Sequence, residues 1–510
     1  MYKKLSIALL LNGFAAAAQA QDSARYKLSE HFRQDYDFYL RRVITQSLLP
    51  LEQYALTEGS YQKTKGGFRA RHEAPSLETT TFYTEGSRRV KKYRVSGSFS
   101  YTHTLKDSVA YLLRDEMQAA PYYFFAAAKG NWEVSRYQLQ GIVSRPLGNR
   151  LSGTLGAAYK AGNAWRSSDP RTEEFNHRVS IEGALHWKLH ARHTLGASAG
   201  YSVAAEENSN NYQNKDRQDN MEDTYYLNYM QYGFGYIEPM NTSRRVDAQS
   251  KGKTLQGVYR GDFTAGTLAL TGSYTDQHSS FFRNSTSTST SAKDYGQFDE
   301  TIWTGELLWK SLRKGAYGWS LLASYKDHLG RDFNLTLNGN NYVYYQSQWA
   351  VRPVIGLWRK DRLQYELALN GALVREYRAD GVANHTFDYK NGVAGATLAG
   401  YFSGKNPKNF LRLAAGGQWS KNLRDEMHVA ASQESDFSKE VAYYNYYYYG
   451  ANVRSLSFEA LYNFSVRNIA FFVKSGVQHQ KASLPAYSLP AATQPGTERW
   501  RAVFALGFTL

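Results

Sequence analysis

The chain has 510 residues, a formal charge of +16 and no cysteine, and 15% of it is aromatic, with 41 tyrosines against 25 phenylalanines and 10 tryptophans. The absence of cysteine excludes a disulfide-stapled scaffold and a lipidated N-terminus, and no apolar run after Ala20 is long enough to cross a bilayer as a helix. Any passage through a membrane therefore falls to β-strands or a surface helix, and scarce proline (11) with frequent glycine (41) suits long strands joined by turns.

Lys3 and Lys4 precede an apolar run over 5–18, broken by Ser6, Asn12 and Gly13, and Ala18-Gln19-Ala20 is a small-x-small cleavage pattern. Residues 1–20 are expected to be a signal peptide for the general secretory pathway, cut before Gln21, since the run falls short of the roughly 20 apolar residues of a spanning anchor. Residues 21–90 form a separate N-terminal segment. A helix is expected over 26–49, with Leu28, Phe32, Phe38, Leu40 and Ile44 as a rough apolar stripe and Pro50 as its stop. Short strands are possible around 62–71 and 79–85. Such a segment serves as a hatch inside a lumen, as a periplasmic cap, or as an extra hairpin in a wall.

From residue 91 to 510 the pattern alternates with period two. Val179, Ile181, Leu185 and Trp187 oppose Ser180, Glu182, Ala184 and His186. Leu363, Tyr365, Leu367, Leu369 and Leu373 oppose Gln364, Glu366, Ala368, Asn370 and Ala372, and Leu456, Phe458 and Tyr462 oppose Ser457, Glu459 and Asn463. Weaker copies lie near 93–103, 134–145, 151–161, 195–205, 255–263, 267–275, 301–312, 317–327, 346–358, 391–402, 409–420 and 469–478. Short links (146–150, 190–192, 264–266, 313–316, 359–362, 404–408, 467–468) alternate with long polar ones (107–130, 206–251, 283–297, 425–452, 484–498). That is how tight periplasmic turns and long extracellular loops alternate in a membrane barrel. The Ser/Thr tract 285–291 reads as a loop tip, and the tyrosines between Tyr443 and Tyr449 as an interfacial girdle or, at a pore mouth, a stacking surface.

The chain ends on Trp500, Ala502, Phe504, Leu506, Phe508 and Leu510, spaced by two, with Arg499, Arg501, Val503, Ala505, Gly507 and Thr509 between them. This ladder resembles the C-terminal signal of Gram-negative outer-membrane β-barrel proteins, whose usual terminal residue is aromatic where this chain has Leu510. With its short helical start and Tyr-rich loops, the chain is also similar to poorly characterised barrels of the Bacteroidota. The resemblance implies an all-β fold, a single-chain transmembrane antiparallel β-barrel of about 16 strands (14–18) in the cell outer membrane. It further implies contact with outer-membrane lipid and lipopolysaccharide, and insertion by the barrel-assembly machinery. The N-terminal segment is too short for the plug domain of TonB-dependent receptors, which disfavours energised transport of that type. In size it is nearer the hatch of long-chain fatty-acid uptake barrels.

If the apolar ladder faces lipid, the other parity lines the lumen. The lumen-lining candidates are Glu182, Arg260, Glu306, Lys310, Arg352, Glu366, Arg412, Glu459 and Lys474. Arg136, Lys160, Lys188, Lys326, Arg499 and Arg501 add positive charge on the same parity, against Asp262. Such a lumen favours small anionic or amphiphilic solutes unless its charges pair across strands. Nucleic acid is not expected as a partner. His186, His190 and His193 straddle a reversal with no carboxylate to complete a metal set, and no G-x-S-x-G, H-E-x-x-H or P-loop is present, so neither cofactor nor metal is expected. The functional expectation is a non-enzymatic channel or uptake pore. The alternatives are a non-conducting structural or secretion barrel that binds a periplasmic or surface protein partner, and a barrel hydrolase.

Overall fold

The period-two alternation becomes a wall of eighteen long antiparallel strands in a computed structural model that describes residues 28–49, 53–218, 220–240, 245–283, 293–312, 315–359, 362–406, 408–467, 469–487, 489 and 493–509. The strands are β1 (Gln53–Gly66), β2 (Ser76–Val90), β3 (Tyr93–Val109), β4 (Gly130–Pro146), β5 (Leu151–Arg166), β6 (Arg171–His190), β7 (His193–Asn211), β8 (Arg245–Phe263) and β9 (Gly266–Arg283). They continue as β10 (Lys293–Ser311), β11 (Tyr317–Asn334), β12 (Tyr342–Arg359), β13 (Arg362–Asp380), β14 (His385–Ser403), β15 (Phe410–Val429), β16 (Asn452–Val466), β17 (Ile469–Ser483) and β18 (Glu498–Thr509). Each pairs with its neighbour in sequence, and β18 closes the barrel on β1, from Leu56 opposite Thr509 to Gly66 opposite Arg499. Closure leaves no strand edge whose backbone groups would go unpaired in hydrocarbon.

The sixteen expected segments are β3 to β18. The two added strands come from the N-terminal segment, so the wall begins at Gln53 and the expected boundary between 90 and 91 is corrected. Their outward faces explain why they read weakly: Thr57, Gly59, Tyr61 and Lys63 on β1 stand opposite Thr84, Phe82, Thr80 and Glu78 on β2. Thr57 and Thr84 share a hydrogen bond of 3.0 Å where other strands carry an aliphatic ladder. The expected signal peptide, Pro50, the 285–291 tract and Leu510 lie outside the described residues.

Register turns the ladders into a belt. One outward row runs from Ile355 through Leu367, Leu398, Ala415, Phe458 and Val477 to Ala502 across seven consecutive strands. Leu155, Ile181, Leu255, Trp303, Trp349, Leu398 and Leu456 are each more than half exposed on this outer face. A continuous apolar band of that kind is unfavourable against water by about 25 cal/mol per Å² and is the surface that a bilayer covers. Leu363 is an exception to its own ladder: a bulge sets Leu357 opposite Tyr365 but Trp358 opposite Leu363. The extra residue, Gln364, flips the parity, so Leu363 turns inward to 1% exposure, against Tyr401 and Phe410.

The connections sort by end as expected, but not strictly by length. At the end where β18 stops, every link is short, whereas the opposite end carries the long loops together with three short ones (167–170, 335–341 and 381–384). Two bodies fill the interior. The segment from α1 (Glu30–Asp35) through a π-helical turn (Tyr36–Leu40) to α2 (Val43–Gln46) occupies the short-turn end, and inward-folded loops occupy the long-loop end.

Candidate functional site

The N-terminal segment folds locally before it docks. Ser29 caps α1, its Oγ accepting from the Phe32 amide at 3.1 Å. Phe32, Phe38, Tyr39, Leu40 and Leu49 pack with Tyr54, Ala269 and Leu308 of the wall, while Ile44 packs against Ala184 and Val258. Each fully buried side chain of this size contributes about 1.5 to 3 kcal/mol. The wall leaves room for the helices at two glycines. A Cβ on Gly156 would lie 2.4 Å from Val43 Cγ2, and one on Gly356 would lie 2.8 Å from His31 Nε2.

Its polar face meets a ring of charges. Arg42 donates both guanidinium arms to Glu306 at 2.6 Å, Lys310 pairs with Asp35 at 2.6 Å, and Arg352 pairs with Asp37 at 2.7 Å. Arg412 reaches Glu30 at 3.2 Å, and the Glu366 carboxylate accepts from the Glu30 and His31 amides at 3.2 and 3.4 Å. Arg260 Nη1 and Arg94 Nη1 donate to the carbonyls of Leu48 and Leu49 at 2.5 and 2.8 Å, which satisfies the chain as it leaves α2. His186 bonds the Ile44 carbonyl at 2.7 Å. The His31 imidazole shares a 2.8 Å bond with Ser320 Oγ, and burial together with the Lys310 ammonium pulls its pKa down to about 4.

The lumen-lining candidates thus converge on one object. Arg260, Glu306, Lys310, Arg352, Glu366 and Arg412 contact the segment directly. Glu459 pairs with Arg412 at 2.5 Å, Lys474 lies 3.6 Å from Glu58 on β1, and Glu182 faces the same end within electrostatic range of Arg42. At this level the wall cations are matched by plug and wall carboxylates, so they do not form the free basic field that the parity count implied. Of the three histidines on the reversal, only His186 points to the plug, while His193 bonds the Tyr259 hydroxyl at 2.9 Å. Among the described residues no group of three His, Cys, Asp or Glu side chains is placed to hold a metal.

The other end is closed by side chains that the alternation pattern passed over. Three short strands, Tyr123–Phe125, Tyr229–Gln231 and Ile237–Pro239, form a small sheet from two loops. Tyr122, Phe124, Met230 and Tyr232 from these loops are fully buried against Tyr295, Phe298, Tyr342 and Phe387 of the wall. Asp332 and Asp380 anchor the assembly: Asp332 accepts from Tyr122 at 3.0 Å and Asp380 from the Tyr236 amide at 2.8 Å. The tyrosine run belongs to this lid and not to an outer girdle, because α3 (Tyr443–Tyr449) lies inside, with Tyr449 stacked on Tyr389 at 4.5 Å and Tyr446 on Tyr487 at 4.3 Å.

Polar chambers remain within the barrel. One of about 810 Å³ is lined by Arg33, Asn370, Gln418 and Arg501, and one of about 300 Å³ by Tyr36, Tyr83, Glu85 and Gln140. A third, of about 430 Å³, lies beneath the lid.

No curated protein matches the chain. Among solved structures, it is similar to the ferric preacinetobactin receptor of Acinetobacter baumannii (9% identity, TM-score 0.39, 89% of this chain and 80% of that one). It is also similar to the outer membrane transporter YddB of Escherichia coli (7%, 0.38, 89% and 81%) and to FpvA of P. aeruginosa (9%, 0.41, 90% and 72%). The likeness is one of barrel architecture. A family model extends over residues 43–510, from α2 through the whole wall, and the chain belongs to that family, DUF6850, a family of unknown function.

Proposed function

We propose that this protein is an outer-membrane uptake pore, closed at its periplasmic end by its own N-terminal segment and at its outer end by an aromatic lid. One observation carries the reading: the segment is a discrete body held to the wall through ion pairs with three strands, at Glu306 and Lys310 on β10, Arg352 on β12 and Arg412 on β15, and through its Glu30 and His31 amides to Glu366 on β13. A barrel of this strand number without internal bodies encloses an aqueous channel, so closure here is a property of removable parts. The outward belt fits outer-membrane lipid and lipopolysaccharide, and the closing strand fits recognition by the barrel-assembly machinery. The chemistry is passage of small polar solutes, without catalysis.

The test is conductance in planar bilayers. The full-length protein is expected to be nearly silent. Deleting 28–49 keeps β1 to β18 intact, whereas removing all of 21–90 would take two strands from the wall. The deletion combined with Tyr122→Ser, Phe124→Ser and Tyr232→Ser, which loosens the lid, is expected to conduct most. A doubly opened barrel that inserts but stays silent would refute the pore and favour the non-conducting, partner-binding barrel.

A further inference from the structure

The chamber of about 430 Å³ beneath the lid contains an arrangement that plugging does not explain. Lys160 on β5 and Arg178 on β6 stand directly opposite each other, both on the inward parity. Like charges facing each other across strands destabilise a sheet, and strands are only about 4.8 Å apart. Arg178 Nη1 donates to Gln277 Oε1 at 3.2 Å, and Gln277 Nε2 in turn donates to Glu300 at 2.6 Å. The amide therefore orients the guanidinium while keeping that carboxylate from it.

The other carboxylates around the chamber are engaged elsewhere. Asp115 binds Lys106 and Arg136, Glu116 binds Arg136 at 2.5 Å, Glu174 accepts from the Asp115 amide at 2.7 Å and from Asn176 at 3.1 Å, Glu206 binds Arg114, and Glu300 also binds His328 at 2.9 Å. Among the described residues, neither Lys160 nor Arg178 forms an ion pair. The same row of the wall continues from Arg178 to Ala204, Ser250 and Ser279, with the two serine hydroxyls 2.8 Å apart. Two cations beside three small side chains make a recess with positive charge at one end and hydroxyls along its floor.

We infer that this recess is a binding site for a small soluble anion, a carboxylate or phosphate compound, held by Lys160 and Arg178 after the lid admits it. The assignment deepens the uptake reading, on which it rests only for the fate of the bound anion. Binding itself is measurable without transport.

The test uses the folded full-length protein in detergent, titrated by equilibrium dialysis with inorganic phosphate, with succinate, and with choline as a cationic control. Saturable binding of at least one anion is expected, weakening as salt rises and absent for choline. Arg178→Gln with Lys160→Gln is expected to weaken it at least tenfold. Lys160→Glu supplies the missing anion within the protein, so it is expected to abolish binding while raising the unfolding temperature, which separates loss of the site from loss of the fold. Absence of anion binding in the wild type, or unchanged binding in the double variant, overturns the site. If the wild type binds anions while the doubly opened barrel stays silent, the site stands and the pore reading fails; the reverse pattern leaves the pore and removes the site.

Discussion

Release of the N-terminal segment can be forced sterically without altering any charge, at Gly156. A Cβ there would lie 2.4 and 3.0 Å from the two Val43 methyls and 3.3 Å from Ile142 Cγ1. Both neighbours are β-branched and have little freedom to rotate away. Overpacking of this kind costs about 1 to 3 kcal/mol, and since β5 is held on both sides by the wall, the helix is the part that yields. Gly156→Ala should therefore raise the population of released segment by about 5- to 150-fold. The chain contains no cysteine, so Thr45→Cys provides a single reporter at a position with no exposed surface. The rate of modification by an impermeant maleimide reads release directly. Val43→Ala removes the clashing methyls and should return the Gly156→Ala rate toward the parent, giving a coupling between the two sites. Equal labelling of the parent and Gly156→Ala, or a double variant no slower than the single, would refute docking of α2 against β5.

Other expectations follow from the same contacts. Arg42→Ala leaves Glu306 partly buried without its partner, at a cost of about 2 to 3 kcal/mol after allowance for solvent, and the same labelling rate measures it. Leu367→Arg sets a charge in the outward belt at a cost of roughly 2 to 4 kcal/mol, whereas Asn370→Arg faces the 810 Å³ chamber; heat-modifiable gel migration should show lost folding only for the former. His31 holds its pKa at about 4 when docked, against 6.5 when free. The His31 contribution to docking is then complete above pH 6.5, falls as the released state takes up the proton between pH 6.5 and 4, and is fully lost below that, about 3 kcal/mol in all. His31→Gln should flatten that part of the labelling profile. Deleting 500–510 removes the partner of both β1 and β17, and the chain should remain outside the outer-membrane fraction.

The barrel was legible because a lipid-facing strand must repeat its apolar side chain every second residue, as Ile181, Leu185 and Trp187 do on β6. The same reasoning placed Glu306, Lys310, Arg352, Glu366 and Arg412 on the lumen face. It could not say what they hold, since their partners Arg42, Asp35, Asp37 and Glu30 lie hundreds of residues away on a helix whose docking depth leaves no periodic trace. β1 and β2 stayed ambiguous because threonines, Gly59 and the Lys63–Glu78 pair interrupt the outward apolar ladder around Tyr61 and Phe82. Leu363 was assigned to the wrong face because one bulged residue reverses every parity beyond it.

The division of the lumen between two bodies follows from length. Residues 28–49 are enough for three short helical turns, and even fully helical they would measure about 33 Å along one axis, too slender to fill an eighteen-stranded barrel. The segment can therefore seal only one level, and it does so where its own chain enters the wall at Gln53, with carbonyls held by Arg94 and Arg260. The far end needs side chains from loops, and the fully buried Tyr122, Phe124 and Tyr232 provide bulk there. The two seals differ in chemistry: salt and pH act on the lower one through its ion pairs and His31, while the upper one adds a fully buried aromatic cluster to its Arg114–Glu206 and Arg136–Asp115 pairs. Raising ionic strength should accordingly speed labelling at position 45 while leaving the lid closed, which protease sensitivity of the 212–240 loop would report. Simultaneous loosening of both ends by salt would show that they are one cooperative body and not two gates.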